Sequence, residues 1–333
     1  MLSHLHRISI ATSKLAVLPG MFAVVSLSSL VDRAGAEQLI GLTVQNLLIS
    51  FDSATPGTVA TIGSVSGLTA GDQLVGIDRR PQRLGGTPLP GPNNGRIYGV
   101  GVNFTDGSAR IYTIDEITAA ATLVATLAAD PADATPPTPF TTVEGTSFGI
   151  DFNPVPDRLR LTSNTGQNLR MNVDNGLVQL DGPLAYQAGD ANFGDAPVAV
   201  AVAYSNNFGG ATSTVLRGVD IGQDPDALVI HTNPNGGILQ TSLSLPFNAS
   251  DIAAYDVSGL SGTPYFSTTP AGGGSSSLYA AGPGGVTLVG DIGGGVAIRG
   301  LAAPVGAPVP EPSAAILLLI AAAALLGYRT SER

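Results

Sequence analysis

Between residues 38 and 302 the apolar positions come in short runs of four to seven, each closed by glycine, proline, asparagine or aspartate. Such runs between turn formers read as strands. Three follow one another closely. They are Gly95-Arg96-Ile97-Tyr98-Gly99-Val100, then residues 109–115 (ARIYTID), then residues 121–127 (ATLVATL). No amphipathic helix of convincing length interrupts the series. The best helical candidate is residues 117–129, which alanine favours. Its β-branched threonines and valine, and its place in the series, predict a strand over 120–127.

One phrase recurs: an apolar stretch, a small residue, an apolar residue, then often aspartate. It reads Leu74-Val75-Gly76-Ile77-Asp78 and Phe148-Gly149-Ile150-Asp151. Looser copies are Val202-Ala203-Tyr204-Ser205, Ala253-Ala254-Tyr255-Asp256 and Arg299-Gly300-Leu301-Ala302. The small residues fall at 76, 149, 203, 254 and 300, so the intervals are 73, 54, 51 and 46. Proline-rich stretches at 81–92 and 131–139 account for the long first interval. About four strands per roughly 50 residues is the module of a β-propeller blade. Residues 296–301 form an innermost strand with no blade after it. Residues 39–44, 47–52 and 58–63 form three outer strands with no inner strand before them. Joined, they complete one blade and remove the open edges of the ring. The expected fold is therefore all-β, a β-propeller over residues 37–302 with five four-stranded blades, the N- and C-terminal strands sharing one of them. Six blades is the alternative, with the extra blade inside the long first interval.

Composition adds little to the fold and more to the setting. Glycine (43) and proline (24) supply the turns, and cysteine is absent, which excludes disulfides and thiolate metal sites. The 333-residue chain carries a formal charge of −10. Residues 37–308 hold ten arginines, no lysine and 22 carboxylates, a net of −12. A surface of that sign repels phosphate backbones and argues against nucleic-acid binding.

Both ends carry address-like segments. His4, His6, Arg7 and Lys14 precede or open an apolar stretch over 15–30, and Ala34-Gly35-Ala36 follows. Basic region, apolar region and small-residue cleavage site predict a secretory signal peptide over 1–36. At the other end, a Pro/Ala linker (303–312) closes on Val309-Pro310-Glu311-Pro312. An apolar run over 314–327 and basic Arg329 and Arg333 come next, making residues 313–333 a hydrophobic segment. The run would span about 21 Å as a helix, short of a bilayer core of about 30 Å. Val309, Pro310, Glu311, Pro312 and Arg329, with the apolar run between them, resemble the PEP-CTERM sorting signal of Gram-negative bacteria. That resemblance implies recognition by a membrane-embedded exosortase. It implies an inner-membrane tether before processing, with release to the cell surface or extracellular polysaccharide after it.

The central region resembles the uncharacterised domain of unknown function 4394 family. The resemblance rests on residues 145–154 (GTSFGIDFNP), on Asp157-Arg158-Leu159-Arg160, and on residues 163–170 (SNTGQNLR). It implies no activity.

Asp78, Asp151 and Asp256 share one repeat position, with Ser205 there in the copy at 202–205. On inner strands, in register, they would ring one end of the channel. Converging carboxylates suit Ca²⁺, which takes six to eight oxygens, or acid–base work on a sugar. Each can also simply close its strand through the turn backbone. Arg158, Arg160 and Arg170 suit structural pairing with nearby acids, or an acidic glycan. The stretch Asp220-Ile221-Gly222-Gln223-Asp224-Pro225-Asp226 lacks the EF-hand glycine and terminal glutamate, and reads as a polar hairpin. His231 is the one histidine downstream of the leader, poor material for a triad or for zinc. Tyr98, Tyr112, Tyr204, Tyr255, Tyr265 and Tyr279 recur at strand positions and suit core or channel wall. The expectation is a non-catalytic surface or matrix propeller that binds a glycan or protein and has no cofactor beyond a candidate Ca²⁺. The alternative is a hydrolase or lyase on extracellular polysaccharide that uses the channel aspartates.

Overall fold

The short apolar runs form strands, and four antiparallel strands make the body of each of five sheets. The computed structural model describes residues 35–81, 83–84, 87–88, 95–133 and 139–306. Residues 1–34 of the expected leader, and Val309, Pro310, Glu311, Pro312 and Arg329 of the expected sorting signal, lie outside the described residues. Among those described, the only helical turns are short 3₁₀ pieces, and no helix is long and apolar enough to cross a membrane.

The sheets are five blades of a β-propeller. From the inside outward, the first has Asp72–Arg79, Ile97–Asn103, Ala109–Ile114 and Ala121–Thr126. The second has Phe148–Asn153, Arg158–Ser163, Asn168–Met171 and Leu177–Leu180. The third has Ala199–Tyr204, Leu216–Asp220, Ala227–Asn233 and Ile238–Ser244. The fourth has Ala249–Val257, Pro264–Pro270, Ser277–Gly282 and Gly285–Asp291. The fifth is composite. Its inner strand is Ile298–Ala302, and its outer three are Gln38–Thr43, Leu47–Asp52 and Thr55–Ser64. Ile40 pairs with Ala302 and Leu42 with Gly300, which closes the ring as the pattern predicts. The alanine-rich stretch is indeed a strand, and the long first interval holds a two-residue hairpin (Arg83–Leu84 with Thr87–Pro88) rather than a sixth blade.

Burial explains why the runs look as they do. The inner strand Ala199–Tyr204 is buried at every residue, because neighbouring blades cover both of its faces. A strand covered on both sides reads as a continuous apolar run. The outer strand Ala121–Thr126 is buried only at Ala121, and its remaining residues alternate poorly because solvent touches most of them. Core clusters lie between blades. Val100 and Ile111 of the first blade join Phe148, Phe152 and Leu161 of the second. Two short parallel strands, Ala128–Ala129 on the second blade and Ala185–Tyr186 on the third, cover outer edges that would otherwise invite pairing.

Inner strands converge closely. A Cβ added at Gly149 would lie 2.8 Å from the Val202 nitrogen and 2.9 Å from the Ala201 carbonyl carbon. A Cβ at Gly300 would lie 3.0 Å from the Ile77 nitrogen. Only glycine permits that approach. These contacts also set the repeat register. Gly300 faces Ile77 just as Gly149 faces Val202, so the small residue of the third blade is Ala201, not Ala203.

Candidate functional site

The inner strands deliver Asp78, Asp151 and Asp256 to one end of the channel. One carboxylate oxygen from each lies within 4.8 Å of those of the other two, and all three residues are 1% exposed or less. The repeat register therefore places them together as expected. It places Ser205 elsewhere: its hydroxyl accepts from the Val215 N–H inside the third blade. The ring position there is Ala203, two residues earlier, and Ala302 fills it in the fifth blade. A strand with period-two patterning keeps its faces when shifted by two, so the apolar run 199–204 offers no signal against the other phase.

Each aspartate reaches across to another blade. Asp78 accepts from the Phe152 N–H at 2.7 Å, Asp151 from the Tyr204 N–H at 2.9 Å and Asp256 from the Ala303 N–H at 2.6 Å. Asp78 and Asp256 also accept from the N–H of the residue that follows each, Arg79 and Val257, at 2.6 Å. The bond is always one residue beyond the partner's ring position, so the triad staples blades together.

Electrostatics are severe. Burial, and then the Asp256 charge, raise the Asp78 carboxyl well above the ordinary carboxylate range. Burial, then Asp78 and Asp256, do the same to Asp151. Burial pushes Asp256 up to about 7, against the Ala303 and Val257 N–H groups and the Arg79 charge. Arg79 is the adjacent cation; its terminal nitrogens donate to Glu116 and to the Gly95 carbonyl, while its Nε has no partner. Two oxygens at the cluster lack any donor: Asp151 Oδ2 and Asn207 Oδ1, both buried. Asn207 is fully buried, and its Nδ2 lies 3.4 Å from Asp256 Oδ1. Sequence reasoning passed over Asn207, because an Asn-Asn pair after a strand is ordinary turn chemistry.

The channel beside the triad is nearly filled. Gly76, Gly149, Ala201, Ala254 and Gly300 line a space of about 10 Å³, about the room of one water. Beyond it, toward the starts of the inner strands, a cavity of about 210 Å³ opens between Val75, Thr146, Ser147, Asp251 and Arg299. The Ser147 hydroxyl donates to Asp251 at 2.7 Å, and Arg299 donates to the Val44 carbonyl while its Nε has no partner. At the triad end, residues 303–306 cross the fourth and third blades, all buried. The Gly259 N–H donates to the Pro304 carbonyl at 2.8 Å, and the Gly306 N–H to the Asn207 carbonyl at 3.3 Å.

The other sequence candidates turn out to be structural. Arg160, 1% exposed, donates to Tyr204, Asn168, Asp181, Asn235 and the Pro234 carbonyl. Arg170 also clasps Asp181, and Arg158 bonds only nearby carbonyls. The 220–226 stretch is a hairpin connection, with Asp220 holding Tyr186 and Val198 and Asp226 holding Ala249. His231 is buried with neither ring nitrogen bonded. Burial and then the Arg160 charge lower its pKa to about 3. Tyr98, Tyr112, Tyr204, Tyr255 and Tyr265 are core, and Tyr279, half-buried, stacks on Phe266.

Fold and channel together define a five-bladed propeller with a sealed carboxylate ring. The chain belongs to the family described as domain of unknown function (DUF4394), whose model matches residues 47–302. No curated protein matches the chain. Solved structures are similar to it at low identity and with TM-scores below 0.5. One is the nidogen/laminin complex, 9% identical, covering 81% of this chain and 98% of that one, TM-score 0.44. Another is the fucose-specific lectin from Aleuria aurantia, 16% identical, covering 83% and 76%, TM-score 0.39. A third is the PQQ-bound aldose sugar dehydrogenase from Streptomyces coelicolor, 15% identical, covering 80% and 81%, TM-score 0.40.

Proposed function

We propose that this protein is an exported, non-catalytic propeller that serves at the cell surface or in the extracellular matrix as a rigid binding or scaffold module. One observation carries the non-catalytic reading. The three acids that repeat in register are all buried and bonded to neighbouring blades, beside a space of about 10 Å³. A sugar ring cannot enter such a space, so acid–base work on a glycosidic bond has no substrate route. The acids are better explained as staples. We assign binding to the other end of the channel, where Ser147, Asp251 and Arg299 edge a cavity of about 210 Å³. Hydroxyl, carboxylate and guanidinium groups at one mouth suit the hydroxyls and carboxylates of an extracellular polysaccharide.

The export part of the proposal rests on the leader pattern and on Val309, Pro310, Glu311, Pro312 and Arg329. An exosortase-type enzyme would then be the processing partner, with the 313–333 segment inserted transiently in the inner membrane. The test is expression of the full chain in a Gram-negative host with and without its exosortase. The tail should be cleaved and the protein should reach the surface only with the enzyme present, and Glu311→Ala should block cleavage. Cleavage and surface display that ignore both would overturn the export reading. Incubation of the purified protein with a polysaccharide panel should give no turnover. Depolymerisation of any member would overturn the non-catalytic one.

A further inference from the structure

We infer that Asp78, Asp151, Asp256 and Asn207 form a buried site for a hard divalent cation of the Ca²⁺ class, which locks four blades together from inside the channel. Three observations point there. First, three carboxylate oxygens lie within 4.8 Å of one another. One ion at a Ca²⁺–O distance of about 2.3–2.6 Å can reach such a set, and all the ligands are oxygen. Second, the carboxylates are fully desolvated and face one another, while the adjacent guanidinium of Arg79 is held by Glu116 and Gly95. Like charges so placed need a counter-charge or protons. Third, Asn207, which is not part of the acidic set, is fully buried against Asp256, and its Oδ1 has no donor. Asp151 Oδ2, of the acidic set itself, also has no donor. Two buried oxygens without donors at one carboxylate cluster are what a cation would satisfy, and buried acceptors seldom go unmet.

The N–H bonds strengthen the case. Each carboxylate is aimed by a backbone donor from another blade, so the ligand geometry is fixed by the ring and not by flexible side chains. Such a site is assembled only when the blades close. The residues supplied by the first, second and fourth blades, with Asn207 from the loop after the third blade's inner strand, would be drawn together by one ion. The inference rests on the reading of the channel as non-catalytic, since a sealed ion here braces the fold and touches no substrate.

Because the site is sealed, exchange requires unfolding. The full chain would be unfolded in guanidinium with EDTA, then refolded in CaCl₂, in MgCl₂ or in EDTA and desalted. Elemental mass spectrometry should find about one calcium per chain in the first sample and less than a tenth of that in magnesium. The melting temperature in calcium should exceed that in EDTA by on the order of 5 °C or more. Asp151→Asn should abolish the calcium shift, yet in EDTA it should melt at or above the parent because one buried like charge is gone. Asn207→Ala should raise the calcium concentration for half-maximal shift at least tenfold. No retained calcium with identical melting in all three media would overturn the inference, and so would equal retention of magnesium. If Asp151→Asn does not fold, the calcium count of the parent still decides. The polysaccharide panel run on the same samples keeps the two readings apart. Turnover lost in Asp151→Asn would overturn the non-catalytic reading, whereas an empty, inactive parent would overturn the cation site alone.

Discussion

Two of the clusters that bury charge in this ring solve the same problem in opposite ways. At the junction of the second and third blades, Arg160 places one cation among Asp181, two asparagines, a tyrosine hydroxyl and a carbonyl, each accepting from it. In the channel, Asp78, Asp151 and Asp256 place three carboxyl groups within reach of one another and leave two oxygens without a donor. The Arg160 knot is complete in itself. Removing one member leaves the others stranded, because buried polar networks fail as a unit. The aspartate ring is incomplete in itself, and removing one member relieves repulsion. Burial of charge alone therefore does not tell whether a residue braces a fold. The match of donors to acceptors does.

The largest expected effect comes from breaking the complete cluster. Arg160→Ala should cost about 3–5 kcal/mol in guanidinium unfolding, the usual penalty for orphaning a buried partner. An Arg160→Ala protein as stable as Asp151→Asn in EDTA would erase the contrast between the two clusters.

Next comes acid. His231 lies in the field of Arg160, and its pKa is lowered to about 3 in the fold against about 6.5 in an unfolded chain. The neutral ring is favoured in the native state, so this contribution is full above pH 6.5. It drains away as pH falls toward 3, by at most about 1.4 kcal/mol per pH unit. Melting curves between pH 7 and 4 should show that slope. His231→Phe should flatten it, and an unchanged slope would remove His231 from the account.

A smaller effect tests the close approach that assembles the ring. Gly149→Ala forces a Cβ against the Val202 nitrogen and should cost about 1–3 kcal/mol by overpacking. The smallest belongs to Arg158, which bonds only the Pro156 and Asp157 carbonyls. Arg158→Ala should stay within about 0.5 kcal/mol of the parent, where Arg160→Ala does not.

Much of the architecture was legible in the residues because blades repeat. Gly76, Gly149 and Gly300 recur at spacings set by four strands and their turns, and the orphan strands at the two ends complete each other. Asp78, Asp151 and Asp256 were legible for the same reason: register carries a side chain to the same height on every inner strand. The third blade was misphased because residues 199–204 (AVAVAY) repeat every two positions, with neither glycine nor aspartate to break the tie. Asn207 was invisible because its role depends on which carboxylate lies across the channel, not on its neighbours in the chain. The pairing of Arg160 with Asp181 and Asn235 had only composition to suggest it, since the three belong to different loops and strands.

Residues 303–306 leave the last inner strand across the floor of the ring, tied to Asp256, Gly259 and Asn207 before the chain continues toward Val309. A pull on the downstream segment would therefore not peel the closing strand from its sheet one bond at a time. It would load several blades in parallel, and a cut beyond residue 306 would leave that harness in place.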